Sequence, residues 1–550
     1  MASGGSDAEA QARSSNVDRM CSLEGFDVII VCTGSEHQAS YWQARLEAGQ
    51  GSIIPHGSKV LAVTEDWPGG AGNALGTLFA WQNAAALARA RYPGFDLDAE
   101  LNSGRISAGL FHTAGKGTRL APLPGSESNN KPGVKLPAAV RRGGGSGGSG
   151  GADGESAVAL TILEAVIKQT SIYARSRRGR LSVFWGDQVF IASVSADYTP
   201  TCHADILCTL GPMPDAETWR ARGLDKYGLI AVTASGAAQV EKVDHATAVR
   251  LLASLGAVSQ VGASLGSFSV SAALLAALLS EFAGELRARA GKLDTDPHLW
   301  MPLTLPCAAY VELMAQKGVA EGDAAAHHAR MAGVRERLMQ ADGGGACGLF
   351  GAVDVGAAAY WWDYGQLPLY VKNCLLLCAQ GPEAALLRRF AAAEQCSGGG
   401  SGGGGGGGAS VDAASVVSAC ALGAGSVRGS ALAFVRCARV EAEGCILVNV
   451  TARKVTAGPG AVVYNVVDDS EEGLSVAAGG VLVGVGDAQG GQTLVRSSKD
   501  VDGGKAWKEA VLGNSRSFEQ IYEANMTADV AAVERLRTAA AHVLWRSIQG

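Results

Sequence analysis

Short apolar runs separated by helical stretches set the rhythm of the first half of the chain. Residues 26–32 (FDVIIVC), 59–64 (KVLAVT), 106–111 (ISAGLF) and 181–185 (LSVFW) are rich in β-branched and aromatic residues. Continuous runs of this kind predict strands buried on both faces, as in a parallel sheet. Residues 38–48, about 74–91 and 156–173 lie between them and predict helices. In the last of these Val158, Leu160, Leu163, Val166 and Ile167 form one apolar stripe. Further helical segments are expected at 272–290 and 311–317, in the Ala-rich stretch around His327-His328, and as a closing amphipathic helix at 530–548. Strands alternating with helices predict an α/β domain.

After residue 409 the pattern changes to Val, Ala, Gly and Ser with few helix formers. Val440 and Ile446, then Val455, Ala461 and Val467, recur at a spacing of six. Such hexads suggest a parallel β-helix, whose coils stack apolar residues inward. Two Gly/Ser tracts punctuate the chain, at 143–151 and 397–408. They bury nothing and lose much entropy on ordering, so the first reads as a loop insertion and the second as a linker. The expected layout is a disordered 1–25, an α/β domain at 26–395 interrupted by 143–151, a linker at 396–409, a β-rich domain at 410–527 and a helix at 528–550.

Hydrophobic residues make up 47% of the 550, enough for more than one core. The formal charge of −6 argues against a nucleic-acid binder, which carries a basic face. The twelve cysteines have no CxxC pairing, and Cys202-His203 and Cys374/Cys378 lack the companions of a zinc site. They read as small buried hydrophobes in a reducing compartment. Adjacent His327 and His328 point to different helix faces and are expected in solvent. No apolar run reaches the roughly 18 residues of a membrane span. The first twenty residues have no hydrophobic leader, and Asp7, Glu9 and Asp18 count against a transit peptide. A cytoplasmic location is expected, with a plastid as the alternative.

The chemistry concentrates after the 106–111 run, in a loop carrying Thr113, Ala114, Gly115, Lys116, Gly117, Thr118 and Arg119, followed by Lys131, Pro132 and Lys135. Glycines let backbone N–H groups approach a phosphate, and Arg and Lys neutralise its charge. A P-loop is excluded: Gly117 follows Gly115-Lys116 where Ser or Thr is needed, and Gly109 is one residue too far upstream. Gly70-x-Gly72-x-x-x-Gly76, with Asn73 inside it, follows a strand and competes as a dinucleotide-binding turn. No acidic residue closes a third strand about 20 residues on, where a ribose would need one.

Residues 115–123 (GKGTRLAPL) with Lys131-Pro132 resemble the sugar-1-phosphate nucleotidyltransferases, whose signature reads A-G-G-x-G-T-R-L-x-P-L before a later K-P. Thr113-Ala114 stands where that family has Ala-Gly. Four further motifs resemble the family: Gly186-Asp187 at the end of a strand, Tyr227-Gly228, Glu241-Lys242, and Trp361-x-Asp363-x-Gly365-Gln366. Ser264-Leu265-Gly266 replaces its N-x-G. The glycine-rich unit ahead of the signature is similar, more loosely, to GDP-fucose pyrophosphorylases. The resemblance implies a Rossmann-like, GT-A type domain with a mixed sheet and a C-terminal left-handed β-helix that supports a homo-oligomer. It implies Thr113 to Thr118 on the nucleotide, Arg119 and Lys131 as catalytic cations, and Tyr227, Gly228, Glu241 and Lys242 on the sugar phosphate. It further implies Asp187 and Asp363 on Mg²⁺. The implied partners are a nucleoside triphosphate and a sugar 1-phosphate, UTP with glucose 1-phosphate first and GTP with fucose or mannose 1-phosphate second. A non-catalytic subunit that binds nucleotide sugars is the alternative from another class.

Overall fold

The four apolar runs lie side by side in one sheet. In the computed structural model the structure describes residues 6–142, 157–396 (except 235, 254 and 342–346) and 408–550. The strands of the first part are β1 (Val28–Thr33), β2 (Lys59–Thr64), β3 (Ala108–His112), β4 (Lys135–Arg141), β5 (Ala157–Thr161), β6 (Arg180–Trp185) and β7 (Gln188–Ile191). They continue as β8 (Cys202–Gly211), β9 (Gly228–Thr233), β10 (Gly236–Glu241), β11 (Val258–Ser271), β12 (Gly348–Asp354) and β13 (Tyr360–Asp363). The main sheet runs β10-β9-β11-β6-β3-β1-β2, with β8 between β11 and β12 off this path. Pairing is parallel from β2 to β6 and antiparallel where β11 meets β6, β8 and β9. This is a mixed α/β sheet, consistent with a Rossmann-like domain.

Both faces of the parallel half are covered. Ile29, Val31, Phe111 and Phe184 face one core with Tyr41, Trp42 and Leu163. Val28, Ile30, Leu110 and Val183 face another with Leu75, Trp81 and Leu278. Alternate residues of one strand therefore feed two cores, which is why these strands read as continuous apolar runs. From β1 the chain steps to β2 on one side and then to β3 on the other. A crevice at the C-terminal ends of strands opens where the winding reverses, here between β1 and β3.

The C-terminal strands are β14 (Ser410–Val411), β15 (Val416–Ser418), β16 (Ala421–Arg428), β17 (Ala431–Glu443), β18 (Ile446–Ala457), β19 (Val462–Tyr464), β20 (Val467–Asp468), β21 (Leu474–Val476), β22 (Gly480–Gly486) and β23 (Gln492–Ser498). They form one ten-stranded sheet, parallel except for its last pair, β22 with β23. Ala431 pairs with Ile446 and Ile446 with Val462, fifteen and sixteen residues apart. The hexad spacing expected here is thus not the one the pairing uses.

Other expectations are also corrected. The N-terminal segment expected to be disordered forms the helix Asp7–Cys21, started by a Ser6/Glu9 capping box. Val17 and Met20 are buried, and Asn16 donates to the carbonyls of Ala192 and Val194 at 2.9 and 2.8 Å. Its anchors are largely polar, so hydropathy did not reveal it. The helix expected from 156 begins at Ile162, because Ala157–Thr161 pairs with β4 and Thr161 caps the helix with Glu164. The helix expected over 272–290 breaks after Glu281 and resumes as Ala283–Ala288. His328 is buried on the Leu305 carbonyl, and His327 bonds the His298 carbonyl at 2.8 Å, so neither is the solvent-facing group expected.

The 143–151 tract, and the 397–408 tract except Gly408, lie outside the described residues. On either side of the second, Phe390, Val416, Ile446 and Tyr464 belong to one core, and Gln395 already bridges to Val416. The helix expected at the end runs Val530–Gln549. Among the described residues no helix is long and apolar enough to cross a membrane.

Candidate active site

The signature loop leaves β3 at the winding reversal. Thr113 is pinned to β1 by its N–H and its hydroxyl, both donating to the Cys32 carbonyl at 3.0 and 2.8 Å. From Ala114 to Lys116 the loop is exposed. Gly117 has φ 64°, and a β-carbon there would sit 3.0 Å from the Lys131 side chain, so glycine is needed both for the turn and for that approach. Thr118–Leu120 then turns as a 3₁₀ helix, with Leu120 in the core. Arg119 is exposed and has no hydrogen bond or ion pair among the described residues. Lys116 turns the other way, with Nζ 5.4 Å above the Tyr522 ring.

Two acidic side chains from distant segments meet Lys131 beside this loop. Asp187 follows β6 and precedes β7, whose antiparallel partner β13 ends in Asp363. The Tyr364 N–H donates to the Asp187 carbonyl at 3.0 Å, and Asn373 holds the Asp363 carbonyl at 2.7 Å. A β-carbon on Gly365 would lie 2.8 Å from Asp187 Oδ2 and 3.0 Å from Asp363 Oδ1, so the carboxylates converge there. Lys131 Nζ pairs with Asp187 Oδ2. Burial and the Asp187 charge push the Asp363 carboxyl upward, opposed by the Gly365 N–H, Lys131 and Arg119. Arg119, Lys131, Asp187 and Asp363 therefore share one electrostatic neighbourhood.

The other expected residues form a second cluster at the end of β9 and β10, where Glu241 registers with Gly228. Tyr227 is half exposed. Lys242 has φ 53°, a left-handed backbone seldom adopted by a side chain of this size, held by its N–H on the Tyr227 carbonyl at 3.1 Å. Its Nζ meets Glu241 at 2.6 Å, and Lys317 meets the other oxygen at 2.8 Å. Burial alone would raise the Glu241 carboxyl, but bonds from Lys242 and Lys317 outweigh it and hold it low. No hydrogen bond or ion pair among the described residues joins this cluster to the aspartates. They are linked along the sheet through β11: Ser264 backs Gly228, and Gly266 lies on Trp185, two residues before Asp187. Three neighbours of Glu241 and Gly228 escaped the sequence reading, namely Gln239, Asp296 and Lys317. The loop carrying Asp296 and the helix carrying Lys317 have no local pattern that would signal this.

The Gly70 loop plays a different part. Gly72 has φ 72°, and a side chain there would strike the Leu293 carbonyl. Asn73 is tied at both ends: its N–H donates to Asp294 at 3.0 Å and its side chain accepts from the Thr295 N–H at 2.6 Å. The Asn73 N–H bond, with the Ala74 N–H on the Leu293 carbonyl at 2.9 Å, satisfies the start of the Gly72–Arg91 helix with protein groups. Beneath the loop, one ligand atom each from Cys32, Glu65 and His112 lies within 4.8 Å of the others. Burial pushes the Cys32 thiol and the Glu65 carboxyl upward and His112 down to about 4. His112 stacks on Trp185 and pairs with the Thr77 hydroxyl at 2.8 Å. Cys32 is buried as expected but has acidic and imidazole neighbours, and although all twelve cysteines are free thiols, Cys21 and Cys307 are exposed rather than the buried hydrophobes expected.

A cavity of about 20 Å³ lies behind the signature loop, between Lys116, Pro124, Trp507 and Tyr522. That is room for about one water. No protein-family model matches this sequence, and no curated protein matches it significantly.

Proposed function

We propose that the chain is a sugar-1-phosphate nucleotidyltransferase, joining a nucleoside triphosphate to a sugar 1-phosphate to give a nucleotide sugar and pyrophosphate. The observation that carries this reading is the meeting of Lys131, Asp187 and Asp363 beside the exposed Arg119, at the C-terminal edge of the parallel strands. In the reaction a sugar-phosphate oxygen attacks the α-phosphorus. The new P–O bond forms as the bond to the β-phosphate oxygen breaks, and pyrophosphate leaves. Catalysis of such a step is chiefly positioning and charge stabilisation. Thr113, whose own N–H and hydroxyl are taken by the Cys32 carbonyl, anchors the loop, and backbone N–H groups of residues 114–118 receive the triphosphate, with Arg119 and Lys131 offsetting charge at the α- and β-phosphates. Tyr227, Gly228, Glu241 and Lys242 receive the sugar phosphate.

Two converging carboxylates are hard oxygen donors and fit Mg²⁺, whereas the thiol and imidazole near Glu65 do not. Asp187 and Asp363 would hold the ion, which when bound neutralises charge between the two phosphates. UTP with glucose 1-phosphate is the first pairing, and GTP with fucose or mannose 1-phosphate the second. The reading keeps a C-terminal left-handed β-helix, for which the parallel pairing of β14 to β22 is the support, and a homo-oligomer formed through it. A cytoplasmic location, or a plastid, completes the reading.

The competing reading is a subunit that binds nucleotide sugars without turning them over. Ala114 at a glycine position and Ser264 in place of the family's Asn favour it. The deciding experiment is Mg²⁺-dependent pyrophosphate release from four nucleoside triphosphates against a panel of sugar 1-phosphates. Release from at least one pair supports transfer. Silence across the panel, with nucleotide sugar still bound, supports the subunit.

A further inference from the structure

We infer that Cys32, Glu65 and His112 form a site for a zinc-class divalent cation, separate from the aspartate pair and independent of the proposed transfer reaction. Cys32 and His112 are register partners on β1 and β3, and Glu65 directly follows β2. The three therefore stand at or just past the C-terminal ends of adjacent parallel strands. One donor atom from each lies within 4.8 Å of the other two. Cys32 Sγ and Glu65 Oε2 are 3.9 Å apart, a long contact for a thiol hydrogen bond. Zinc bonds of about 2.3 Å to sulfur and about 2.0 to 2.2 Å to nitrogen and oxygen set tetrahedral ligand atoms roughly 3.3 to 3.6 Å apart. Small side-chain swings close the set onto one ion.

Each donor is held as a ligand is held. The Thr77 hydroxyl gives its single proton to the Asn73 carbonyl at 2.7 Å, so in its 2.8 Å contact with His112 Nε2 it accepts. Nε2 therefore carries the ring proton, and Nδ1 carries the lone pair a metal needs. The Trp185 ring stacked on the imidazole fixes its plane. Glu65 Oε1 accepts from the Ala71 N–H at 3.2 Å, which leaves Oε2 for the ion. Outer partners of this kind orient the ligands of metal sites. Gly76 keeps the space open, inside a helix where alanine would be the more stable residue. A β-carbon there would lie 2.9 Å from Glu65 Oε2 and 3.7 Å from His112 Cε1. Thiolate, imidazole and carboxylate are together a donor set for Zn²⁺, and three protein ligands leave a fourth position for water. The Cys32 thiol releases its proton to solvent as the metal–sulfur bond forms. Glu65 is partly exposed, which gives the ion a way in. The Cys32 carbonyl receives both bonds from Thr113, and His112 precedes that residue, so the ion would brace the root of the signature loop.

The test is metal binding by the full chain, stripped with a chelator and titrated with Zn²⁺ or Co²⁺ in excess Mg²⁺. One equivalent of Zn²⁺ should stay bound through gel filtration, and Co²⁺ should give a thiolate charge-transfer band with tetrahedral d–d bands. Cys32→Ala should abolish the charge-transfer band. Thr77→Val removes the partner of Nε2, and Gly76→Ala fills the space at Glu65; each should weaken affinity about tenfold or more. Asp187→Asn should bind as the parent does. Circular dichroism checks the fold of every variant, and if Cys32→Ala does not fold, Thr77→Val and Gly76→Ala decide. No retained metal in the parent, a cobalt–thiolate band that survives Cys32→Ala, or parental affinity in both Thr77→Val and Gly76→Ala overturns the site. Loss of the band in Asp187→Asn overturns its separateness from the aspartate pair. None of these measurements uses turnover, so the transfer reaction stands or falls on its own test.

Discussion

Replacing Gly365 by alanine tests the aspartate pair without removing a charge. Gly365 is not among the residues with positive φ, so alanine has no backbone penalty there. Its methyl carbon would arrive 2.8 Å from Asp187 Oδ2, 3.0 Å from Asp363 Oδ1 and 3.5 Å from Asp187 Cγ. Non-bonded atoms rest at about 3.5 Å or more, so each carboxylate oxygen must retreat by roughly half an ångström. Both are ends of short side chains that can swing, so the folding cost should stay within about 1 kcal/mol. The functional cost is larger. Ligand distances in a metal site tolerate only about 0.2 Å, and misplacements near 1 Å cost up to about a hundredfold. We expect kcat/KM to fall between about ten- and a hundredfold, or roughly 1.4 to 2.7 kcal/mol. The Mg²⁺ concentration needed for half activation should rise with it, and Mn²⁺ titration followed by electron paramagnetic resonance should report the same weakening without turnover. Gly284→Ala is the control, because nothing lies within 4 Å of its added carbon. Unchanged metal affinity and kcat/KM in Gly365→Ala, with the fold intact, would refute a metal role for Asp187 and Asp363.

Three further outcomes follow from the same geometry. Arg119→Ala and Asp187→Ala should each lower pyrophosphate release about a hundredfold or more, on the scale of a lost transition-state contact, and near-parental turnover in either would remove that residue from the site. Lys135 is 3% exposed and pairs with Glu127 at 2.7 Å and Glu534 at 3.2 Å, so Lys135→Met strands two carboxylates. Calorimetry should record about 3 to 5 kcal/mol of destabilisation, and a loss under 1 kcal/mol would refute the burial argument. Glu534 has its carboxyl pulled down to about 2: burial opposes the shift, but Lys135, Arg45 and Arg537 overcome it. Because the folded value is depressed, its stabilisation is full above the ordinary value of 4.5 and fades as pH falls toward about 2. With 28% of the side chain exposed, the effect is discounted to about 2 kcal/mol. Urea midpoints between pH 6 and 3 measure it, and Glu534→Gln should flatten that part of the profile.

The parallel half of the sheet was legible because β1, β2, β3 and β6 are sandwiched by helices, and a doubly buried strand leaves an unbroken apolar run. Asp187 and Asp363 were legible as a pair through resemblance, since each sits in a recognisable short motif at a strand end. Asp296 was not. It is brought to Gly228 by a loop tied to Asn73, more than two hundred residues away, and no local pattern encodes such a tie. Cys32, Glu65 and His112 were likewise invisible as a group. Each lies at or just past the C-terminal end of a different strand, and only the parallel register of β1 with β2 and β3 puts them together. The six-residue spacing after residue 430 misled for another reason. Apolar residues are so frequent there that several periods fit, and only the pairing distinguishes fifteen from eighteen.

The C-terminal unit bears on the site through the segment that leads to Lys131. Ser128 and Asn129 are consecutive residues with φ 52° and 65°, a left-handed pair that costs about 1 to 3 kcal/mol each unless the surroundings impose it. The surroundings here come largely from beyond residue 460. Asn525 donates to the Gly125 carbonyl at 2.7 Å, Ser126 to the Gly484 carbonyl at 2.8 Å, and Asn129 to the Tyr522 carbonyl at 2.6 Å. Asn465 reaches Ser126 and Glu127 at 2.7 Å each, and Tyr464 also bonds Glu127. Glycines 503 and 504 lie against Thr118 and Arg119 from the same side. A loop strained in this way keeps its path only while those partners stay in place. The placement of Lys131 on Asp187 is therefore a property of both halves of the chain, and the shared core around Tyr464 is the reason the second half cannot be treated as an appendage.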